Sequence, residues 1–406
     1  MLLSSRPALT RLNQVNLRRG HPLKILFVDQ TGQLGGGELS LLDVIKHGHH
    51  QSEIVLFSDG PFRRALEDIH VPVHVLSLGS AGKISRDDKL SAIVSGVPAL
   101  FKLRNELASK ARDFDVLYAN SQKAFLLSAL ARRRGQPLIW HLRDMLTADH
   151  FSPIMRRAAI LAGNLSASAI IMNSEATRQS FLSAGGKGTN TAVVYNGIDG
   201  EPFRSIADAD IKKMRSELGL EGKFVVGVFG RLAEWKGQHI LIQALASLSE
   251  VHAIIVGEAL FGEQSYANGL QHLAQSQGVD DRVHFLGFRR DIPVLMKVVD
   301  VVIHSSTAPE PFGRVIVEGM LAGRPVIATR AGGVTEIVQD LVTGLLVTPG
   351  STKELAEAIT RLRTDSQFSR ELVEAASTKA SSVFSTRAMI NGIQEVLRDL
   401  HSLGAR

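Results

Sequence analysis

Short apolar runs rich in β-branched residues recur along this chain and alternate with longer stretches of helical periodicity. Val116–Ala119, Phe224–Phe229 and residues 299–304 are examples, each bounded by turn residues and too short for a buried helix. Strands that alternate with helices predict parallel sheets covered by helices on both faces, because parallel strands need long crossover connections. The predicted fold class is therefore α/β, with doubly wound, Rossmann-like sheets.

The alternation occurs twice, which predicts two domains. Strands are expected at residues 24–29, 53–58, 73–78, 116–119, 137–141, 169–172 and 191–195, and again at 224–229, 252–256, 283–286, 299–304, 325–329 and 344–347. At 406 residues the chain is longer than one hydrophobic core usually supports. We predict a mobile basic tail at residues 1–22, an N-terminal domain at 23–197 and a C-terminal domain at 198–385. An Asp-rich stretch at 199–210 is the expected linker.

The composition of the chain argues against cysteine-based sites, a membrane-spanning helix and a secretory signal. The chain has no cysteine, which excludes disulfides, thiolate metal sites and a cysteine nucleophile. No apolar run approaches the roughly 18 residues of a membrane-spanning helix. The first 22 residues are polar and basic and lack the apolar segment of a secretory signal. We therefore expect a cytoplasmic protein.

The net charge of +6 is unevenly distributed. Residues 1–200 carry 24 Lys and Arg against 16 Asp and Glu, whereas the remainder carries 22 against 24. Basic runs lie at residues 18–19, 102–112, 132–134 and 156–157. They lack the aromatic interleaving or recognisable module of a nucleic-acid-binding protein, so nucleic acid is not an expected partner. Two interpretations stay open: peripheral contact with an anionic membrane or acidic acceptor, and an ordinary solvated basic face.

The segment from Glu310 to Glu318 carries the strongest chemical signal. It reads EPFGRVIVE and joins a predicted buried strand to a predicted helix, so backbone N–H groups at the helix start point beyond the strand end. Such N–H groups bind phosphates, whereas the two carboxylates accept hydrogen bonds from hydroxyls. A nucleotide sugar offers both kinds of group.

Two further loops follow predicted strands in the same way. The loop after Phe224–Phe229 reads GRLAEWKG and places Arg231 and Lys236 five residues apart, suited to stabilising a departing diphosphate. The loop after Lys24–Asp29 reads GGGE and begins a helix. At Gly35 and Gly36 a side chain would keep the backbone from approaching a phosphate.

Three further motifs accompany these loops. They are Trp140-His141, the NGID segment at residues 196–199 and the GRPVIA segment at 323–328. From about Leu23 to the C-terminus the sequence resembles the retaining glycosyltransferases of family 4. That resemblance implies the GT-B fold, in which two Rossmann-like domains face an interdomain cleft. It further implies an N-terminal acceptor domain, a C-terminal donor domain and a last helix, about residues 386–403, that crosses back onto the N-terminal domain.

The resemblance also implies roles for individual residues. His141 would lie beside the donor sugar, Glu318 would accept hydrogen bonds from the ribose, and Glu310 would face the transferred sugar. The implied catalytic residues are His141, Arg231, Lys236 and Glu310. The implied donor-binding residues are Gly35, Gly36, Phe288, Arg289, Phe312, Gly313, Arg314, Val315 and Glu318. No metal is expected, because the Asp-x-Asp patterns at residues 113–115 and 208–210 do not end strands and are interpreted as solvated turns.

The sequence thus predicts that a sugar is transferred, with retention of configuration, from a nucleoside-diphosphate donor to a hydroxyl acceptor. UDP is expected as the donor nucleotide in preference to GDP, and no cofactor is expected. Front-face displacement is the expected mechanism, and acceptors in polysaccharide, glycolipid or lipid-linked oligosaccharide synthesis are expected. Two alternatives stay open. One is a nucleotide-sugar epimerase of the same architecture, and the other is a nucleotide-sugar-binding protein without catalysis.

Overall fold

The computed structural model describes residues 22–76, 90–147, 152–260 and 262–404. The basic tail expected at residues 1–22 lies outside this part, apart from its last residue. The chain divides into two compact units. Unit 1 comprises Met1–Tyr195 and Thr386–Arg406, and unit 2 comprises Asn196–Ser385. The division falls two residues before the expected boundary.

Unit 1 contains a seven-stranded, all-parallel sheet. Its strands are β1 (Lys24–Asp29), β2 (Gln51–Leu56), β3 (Val73–Val75), β4 (Val116–Ala119), β5 (Leu138–Leu142), β6 (Ala169–Met172) and β7 (Thr191–Val193). They lie in the order β3-β2-β1-β4-β5-β6-β7. The order reverses between β1 and β4, and ligands of doubly wound sheets bind at the carboxyl ends of strands at such a switch point.

Helices cover both faces of this sheet. The helices before the domain division are α1 (Gly36–His47), α2 (Pro61–Glu67), α3 (Leu90–Ala111), α4 (Gln122–Ala131), α5 (Pro153–Ser166) and α6 (Glu175–Ser183). Helices α3 to α6 contribute to one hydrophobic core, centred on Phe125, Trp140 and Phe181. Helices α1 and α2 contribute to the core on the opposite face.

Unit 2 repeats the plan with a six-stranded parallel sheet. Its strands are β8 (Phe224–Phe229), β9 (Val251–Val256), β10 (Val283–Gly287), β11 (Val301–His304), β12 (Val326–Thr329) and β13 (Leu345–Val347). Their order is β10-β9-β8-β11-β12-β13, so the switch point lies between β8 and β11. The predicted α/β class with two doubly wound sheets is confirmed.

The helices of unit 2 are α7 (Glu201–Arg204), α8 (Asp208–Glu217), α9 (Gln238–Leu245), α10 (Gln264–Ser276), α11 (Ile292–Val298), α12 (Arg314–Leu321), α13 (Val334–Ile337), α14 (Thr352–Thr364) and α15 (Ser366–Val383). The last helix, α16 (Thr386–Gly404), belongs to unit 1. Its residues Met389, Ile390, Ile393 and Leu397 pack with α1 in the second core of that unit.

Two local expectations are wrong. The stretch at residues 199–210 is not the linker between the domains, since it lies inside unit 2 and contains α7 and the start of α8. Asp208 and Asp210 accordingly lie in the first turn of α8, where their charge favours the helix dipole, and not in a solvated turn. Asp115 does lie just before a strand, and its carboxylate accepts a hydrogen bond from the backbone N–H of Lys24 at 2.8 Å. Across the part of the chain that the structure describes, no helix is both long and apolar enough to span a membrane.

Candidate active site

The switch point of unit 2 brings two predicted residues into direct contact. Lys236 lies in the loop after β8 and Glu310 in the loop after β11, the strand next to it. The Lys236 Nζ donates to Glu310 Oε1 at 2.6 Å. Both side chains are largely removed from solvent, with 21% and 13% of their surface exposed. A cation and a carboxylate therefore lie side by side at the edge where a ligand of this sheet would bind.

The second oxygen of Glu310 is bound by residues that the sequence had not singled out. His304, the last residue of β11, donates from Nε2 to Glu310 Oε2 at 2.5 Å. The hydroxyl of Ser306 donates to the same oxygen at 3.1 Å. Burial alone would raise the pKa of Glu310, but the ammonium of Lys236 and the imidazole of His304 hold it well below its usual range. Glu310 is thus an ionised carboxylate with both oxygens occupied.

Two glycines allow these loops to pack backbone against backbone. Gly237, with φ of 70°, follows Lys236, and a Cβ there would lie 2.0 Å from the carbonyl oxygen of Ser305. Gly332, with φ of 62°, would place a Cβ 2.3 Å from the carbonyl oxygen of Glu310. Ser305 Oγ also donates to the Lys236 carbonyl at 3.1 Å. Only glycine tolerates both the left-handed conformation and this approach.

The segment between the two glutamates starts α12 as predicted. Gly313 precedes the helix with φ of 111°, and Arg314 and Val315 form its first turn. Arg314 Nε lies 3.1 Å from Glu318 Oε1, one helical turn away, and both side chains are mostly buried. The Phe312 ring is buried and packs edge-on against Phe384 at 5.8 Å between centroids, so its side chain belongs to the packing of unit 2.

The remaining predicted residues of unit 2 lie on loops after β8 and β10. Arg231 is half-buried, and its carbonyl accepts a hydrogen bond from Gln238 Nε2 at 2.9 Å. Phe288 is exposed over 62% of its surface. Arg289 is engaged by Asp291 through two hydrogen bonds, Nε to Oδ1 at 2.8 Å and Nη2 to Oδ2 at 2.5 Å. The ring of Phe288 is therefore the more available of the two for a nucleotide base.

In unit 1 the predicted glycines lie at the start of α1. The N–H of Gly35 donates to Glu38 Oε2 at 3.0 Å, so the protein itself already binds this group. A Cβ on Gly36 would meet nothing within 4 Å. The packing of unit 1 therefore does not require glycine at position 36, which leaves a ligand as a reason for its presence.

His141 belongs to a buried polar network at the switch point of unit 1. Its Nδ1 lies 2.6 Å from the hydroxyl of Tyr118 and 3.2 Å from Arg143 Nη2. Arg143 Nε donates to Asn120 Oδ1 at 2.5 Å, and Asn120 Nδ2 donates to Asp29 Oδ2 at 2.5 Å. These residues lie at or near the carboxyl ends of the neighbouring strands β1, β4 and β5, which explains why they meet.

Two carboxyl groups beside this network have raised pKa values. Burial raises the pKa of Asp29 to about 6, although hydrogen bonds from Asn120 and backbone groups and the charge of Arg143 oppose the shift. Burial and the nearby Asp29 charge raise the pKa of Glu38 to about 7. Burial in unit 1 therefore shifts both carboxyl groups toward their neutral forms, relative to carboxyl groups in water.

Sequence reasoning missed several of these groups. Those in unit 2 are His304 and Ser306, and those in unit 1 are Tyr118, Asn120 and Arg143. A signal was present for His304, because it ends a buried strand, and the predicted site residue His141 lies near the end of another. Asn120 and Arg143 likewise directly follow strand ends. Phe288 and Arg289 follow β10, which is two strands away from β8 in the sheet.

Comparisons with known proteins agree with this architecture. Residues 43–197 match the family described as glycosyl transferase 4-like domain, and residues 210–379 match glycosyl transferases group 1. Spore coat protein SA of Bacillus subtilis is 32% identical over 220 residues, which are 51% of this chain and 58% of that protein. The D-inositol 3-phosphate glycosyltransferase of Mycobacterium tuberculosis is 27% identical over 82% of this chain and 72% of its own length. The chain thus spans less than two thirds of the first of these relatives.

Among solved structures, Alr3699/HepE of Anabaena is 43% identical, with a TM-score of 0.84 over 93% of this chain and 100% of that one. That protein has been crystallised with UDP and with UDP-glucose. The lipopolysaccharide-biosynthesis glycosyltransferase WaaG, at 17% identity and a TM-score of 0.69, shares the fold. The chain belongs to the group 1 glycosyltransferases of the family 4 type, which have the GT-B fold.

Proposed function

We propose that the chain transfers a sugar from a UDP-sugar donor to a hydroxyl acceptor with retention of the anomeric configuration. The contact between Lys236 and Glu310, 2.6 Å, carries this proposal. It places a cation suited to a departing diphosphate beside a carboxylate suited to the sugar hydroxyls. UDP and UDP-glucose in the Anabaena relative support UDP as the donor nucleotide.

The proposed reaction is a front-face displacement. The acceptor hydroxyl attacks the anomeric carbon from the side that the diphosphate leaves, and a phosphate oxygen of the donor takes the hydroxyl proton. Arg231 and Lys236 stabilise the negative charge that develops on the diphosphate, a role that other enzymes give to a metal ion. The proposal therefore includes neither a metal nor a cofactor.

Lys236 and Glu310 would exchange partners when the donor binds. The contact with Lys236 helps to hold the pKa of Glu310 well below its usual range, so the carboxylate is ionised while the site holds no donor. A diphosphate carries more negative charge than one carboxylate, so it competes for the ammonium of Lys236. Glu310 then has an oxygen available to accept a hydrogen bond from a sugar hydroxyl, while His304 continues to hold the other.

The remaining residues retain the roles that the family pattern implies. Glu318 accepts hydrogen bonds from the ribose, and Phe288 with Arg289 contacts the base. The backbone at Phe312, Gly313, Arg314 and Val315 binds the sugar or phosphate. His141 contacts the transferred sugar, and the backbone at Gly35 and Gly36 binds donor phosphate. All of these assignments are predictions.

Donor consumption distinguishes this function from the two alternatives. A thermal-shift screen across nucleotide sugars first identifies the donor, because a ligand that binds only the folded state raises the melting temperature. Sugar transfer or donor hydrolysis supports the glycosyltransferase. Interconversion of donor sugars without an acceptor would indicate an epimerase, and binding without turnover would indicate a nucleotide-sugar sensor.

We further propose that the acceptor is carried by a glycolipid, a lipid-linked oligosaccharide or a surface polysaccharide, and that the protein acts in the cytoplasm at an anionic membrane. The support is the outer face of α5. Ile154, Leu161 and Leu165, which recur at helical spacing, are 79%, 60% and 71% exposed. Exposed apolar side chains in a row on one helix mark an interaction surface more often than a solvated one.

The charges around this face favour anionic lipid as the partner. Arg157 lies on the same exposed side of α5, and Arg133 and Arg134 follow α4 on the same side of the sheet. Neither α4 nor α5 contains an acidic residue. Arg132 is half-buried and donates to the carbonyl of Gln136 at 3.3 Å, so it is a poor candidate for membrane contact.

Vesicle flotation tests this surface. We expect binding to rise with the fraction of anionic lipid and to weaken in salt. Replacing Ile154, Leu161 and Leu165 together with Ser should reduce binding, whereas Val383→Ser, at an exposed position of unit 2, is the matched control. Binding that ignores lipid charge, or survives the α5 replacement, would show that α5 is a solvated face.

A further inference from the structure

The hydrogen bonds around His141 determine which of its ring nitrogens carries the proton. Its Nδ1 lies 3.2 Å from Nη2 of Arg143, and a guanidinium nitrogen can only donate. Nδ1 must therefore be the acceptor, and the Tyr118 hydroxyl donates to it as well at 2.6 Å. A neutral imidazole has one N–H, so that hydrogen lies on Nε2.

The protonation state of the ring follows from its surroundings. His141 is fully buried. Burial, together with the positive charge of Arg143, places the pKa of His141 well below its usual range. The ring is thus a neutral imidazole at physiological pH, with the N–H on Nε2.

The Nε2–H group has no partner among the residues that the structure describes, although it is buried. An unsatisfied buried donor destabilises the folded protein, so such groups usually have a purpose. His141 is the second-last residue of β5, near the switch point of unit 1, the part of a doubly wound sheet where ligands bind. A ligand oxygen that accepts a hydrogen bond would satisfy this donor.

Burial and hydrogen bonds fix the position of the Arg143 side chain beside His141. Only 8% of its surface is exposed. Its Nε donates to Asn120 at 2.5 Å and its Nη1 to the hydroxyl of Ser40 at 3.0 Å. Asn120 is fixed in turn by Asp29. The guanidinium therefore cannot rotate away from His141 without breaking bonds to two other elements.

We propose that Arg143 is a positioning residue that fixes His141 as the Nε2–H tautomer, so that His141 acts as a hydrogen-bond donor in the sugar contact already assigned to it. The sugar part rests on the proposed function, whereas the tautomer part does not. Tyr118 assists but does not decide the tautomer, because a hydroxyl can accept as well as donate. Arg143 has no acceptor to offer Nδ1–H.

Nitrogen-15 NMR of the whole protein with labelled histidine tests the tautomer directly, with His141→Gln used to assign the signal. We expect a proton on Nε2 and none on Nδ1 in the wild type and in Tyr118→Phe. Arg143→Gln, whose amide oxygen can accept from Nδ1–H, should add the other tautomer and lower kcat by about tenfold or more, with a smaller change in donor KM. A wild-type ring protonated at Nδ1 overturns the proposal even if Arg143→Gln does not fold.

Titration with UDP-glucose, and with UDP as a control without the sugar, tests the donated hydrogen bond. We expect the Nε2 signal to move with UDP-glucose and to stay in place with UDP. Saturation by UDP-glucose without a shift would overturn the sugar contact. A melting temperature unaffected by any nucleotide sugar would instead remove the proposed function and the sugar contact with it, while the tautomer assignment would stand on the spectrum.

Discussion

The two units have the same topology but opposite electrostatics at the carboxyl edge of the sheet. In unit 2, Glu310 faces Lys236 and His304, and its pKa is lowered. In unit 1, Asp29 is buried beside the amide of Asn120, and its pKa is raised to about 6. The fold determines which side chains lie close together, whereas the neighbouring groups determine how readily each carboxyl group ionises. Unit 2 therefore presents an ionised carboxylate at this edge, whereas burial in unit 1 favours the neutral form of the Asp29 carboxyl group.

The largest expected effect comes from removing the charge of Glu310. Glu310→Gln keeps the shape of the side chain, and we expect turnover to fall on the order of 10²-fold, because a contact to the reacting sugar strengthens in the transition state. Donor affinity, measured by calorimetry, should change much less. Near-normal turnover in a folded variant would remove Glu310 from the site and the contrast between the units with it.

A smaller effect is expected at Gly36 of unit 1. A Cβ there meets nothing within 4 Å, so Gly36→Ala should leave stability unchanged or slightly raised. If the backbone binds donor phosphate, kcat/KM should nevertheless fall by about tenfold, equivalent to about 1.4 kcal/mol.

Gly269→Ala is the matched control, since this exposed helical glycine of unit 2 also has an open surrounding. It should leave kcat/KM unchanged. Equal kcat/KM for Gly36→Ala and the wild type would mean that unit 1 does not bind the donor through this loop.

The smallest effect concerns the pH dependence of stability. The folded-state pKa of Asp29 is about 6 against a model value of 3.8, so its contribution to stability is greatest at low pH and is lost as pH rises through about 6. Asp29→Asn removes this dependence. Relative to the wild type, the variant should therefore gain about 1 kcal/mol of unfolding free energy between about pH 5 and about pH 8. Glu310, with a lowered pKa, contributes stability that is lost only as pH falls below about 4.5.

The two tryptophans make this measurement specific to one unit. Trp140 is buried in unit 1, and Trp235 lies in unit 2. In a Trp235→Phe background, urea unfolding followed by fluorescence reports on unit 1 alone. A gain that does not depend on pH would show that Asp29 is not buried as a group with a raised pKa.

Much of this architecture could be predicted from the sequence, because the strand-like runs and the helical periodicity between them indicate the same α/β fold. The thirteen strands among the described residues lie close to their predicted positions, since short β-branched runs between helices have few other folds available. A helix was also predicted within the segment from Glu310 to Glu318, and α12 begins there at Arg314. The helices within residues 199–210 were not predicted, because Asp residues are typical of both turns and helix starts.

The polar networks were not readable, because they depend on which strands become neighbours. Asn120 and Arg143 meet only because β4 and β5 pair in the sheet, and they reach Asp29 because β1 lies next to β4. His304 reaches Glu310 because the loop after β11 folds back on its own strand. The order of residues along the chain does not by itself show which strands pair or which path a loop takes.

The proposed function assigns stabilisation of the departing diphosphate to Arg231 and Lys236 of unit 2, in place of a metal ion. The most direct test measures UDP release from UDP-glucose by the wild-type protein, with and without excess EDTA. We expect the same rate in both. Turnover that is abolished by EDTA and restored by Mg²⁺ or Mn²⁺ would show that a metal ion takes this role.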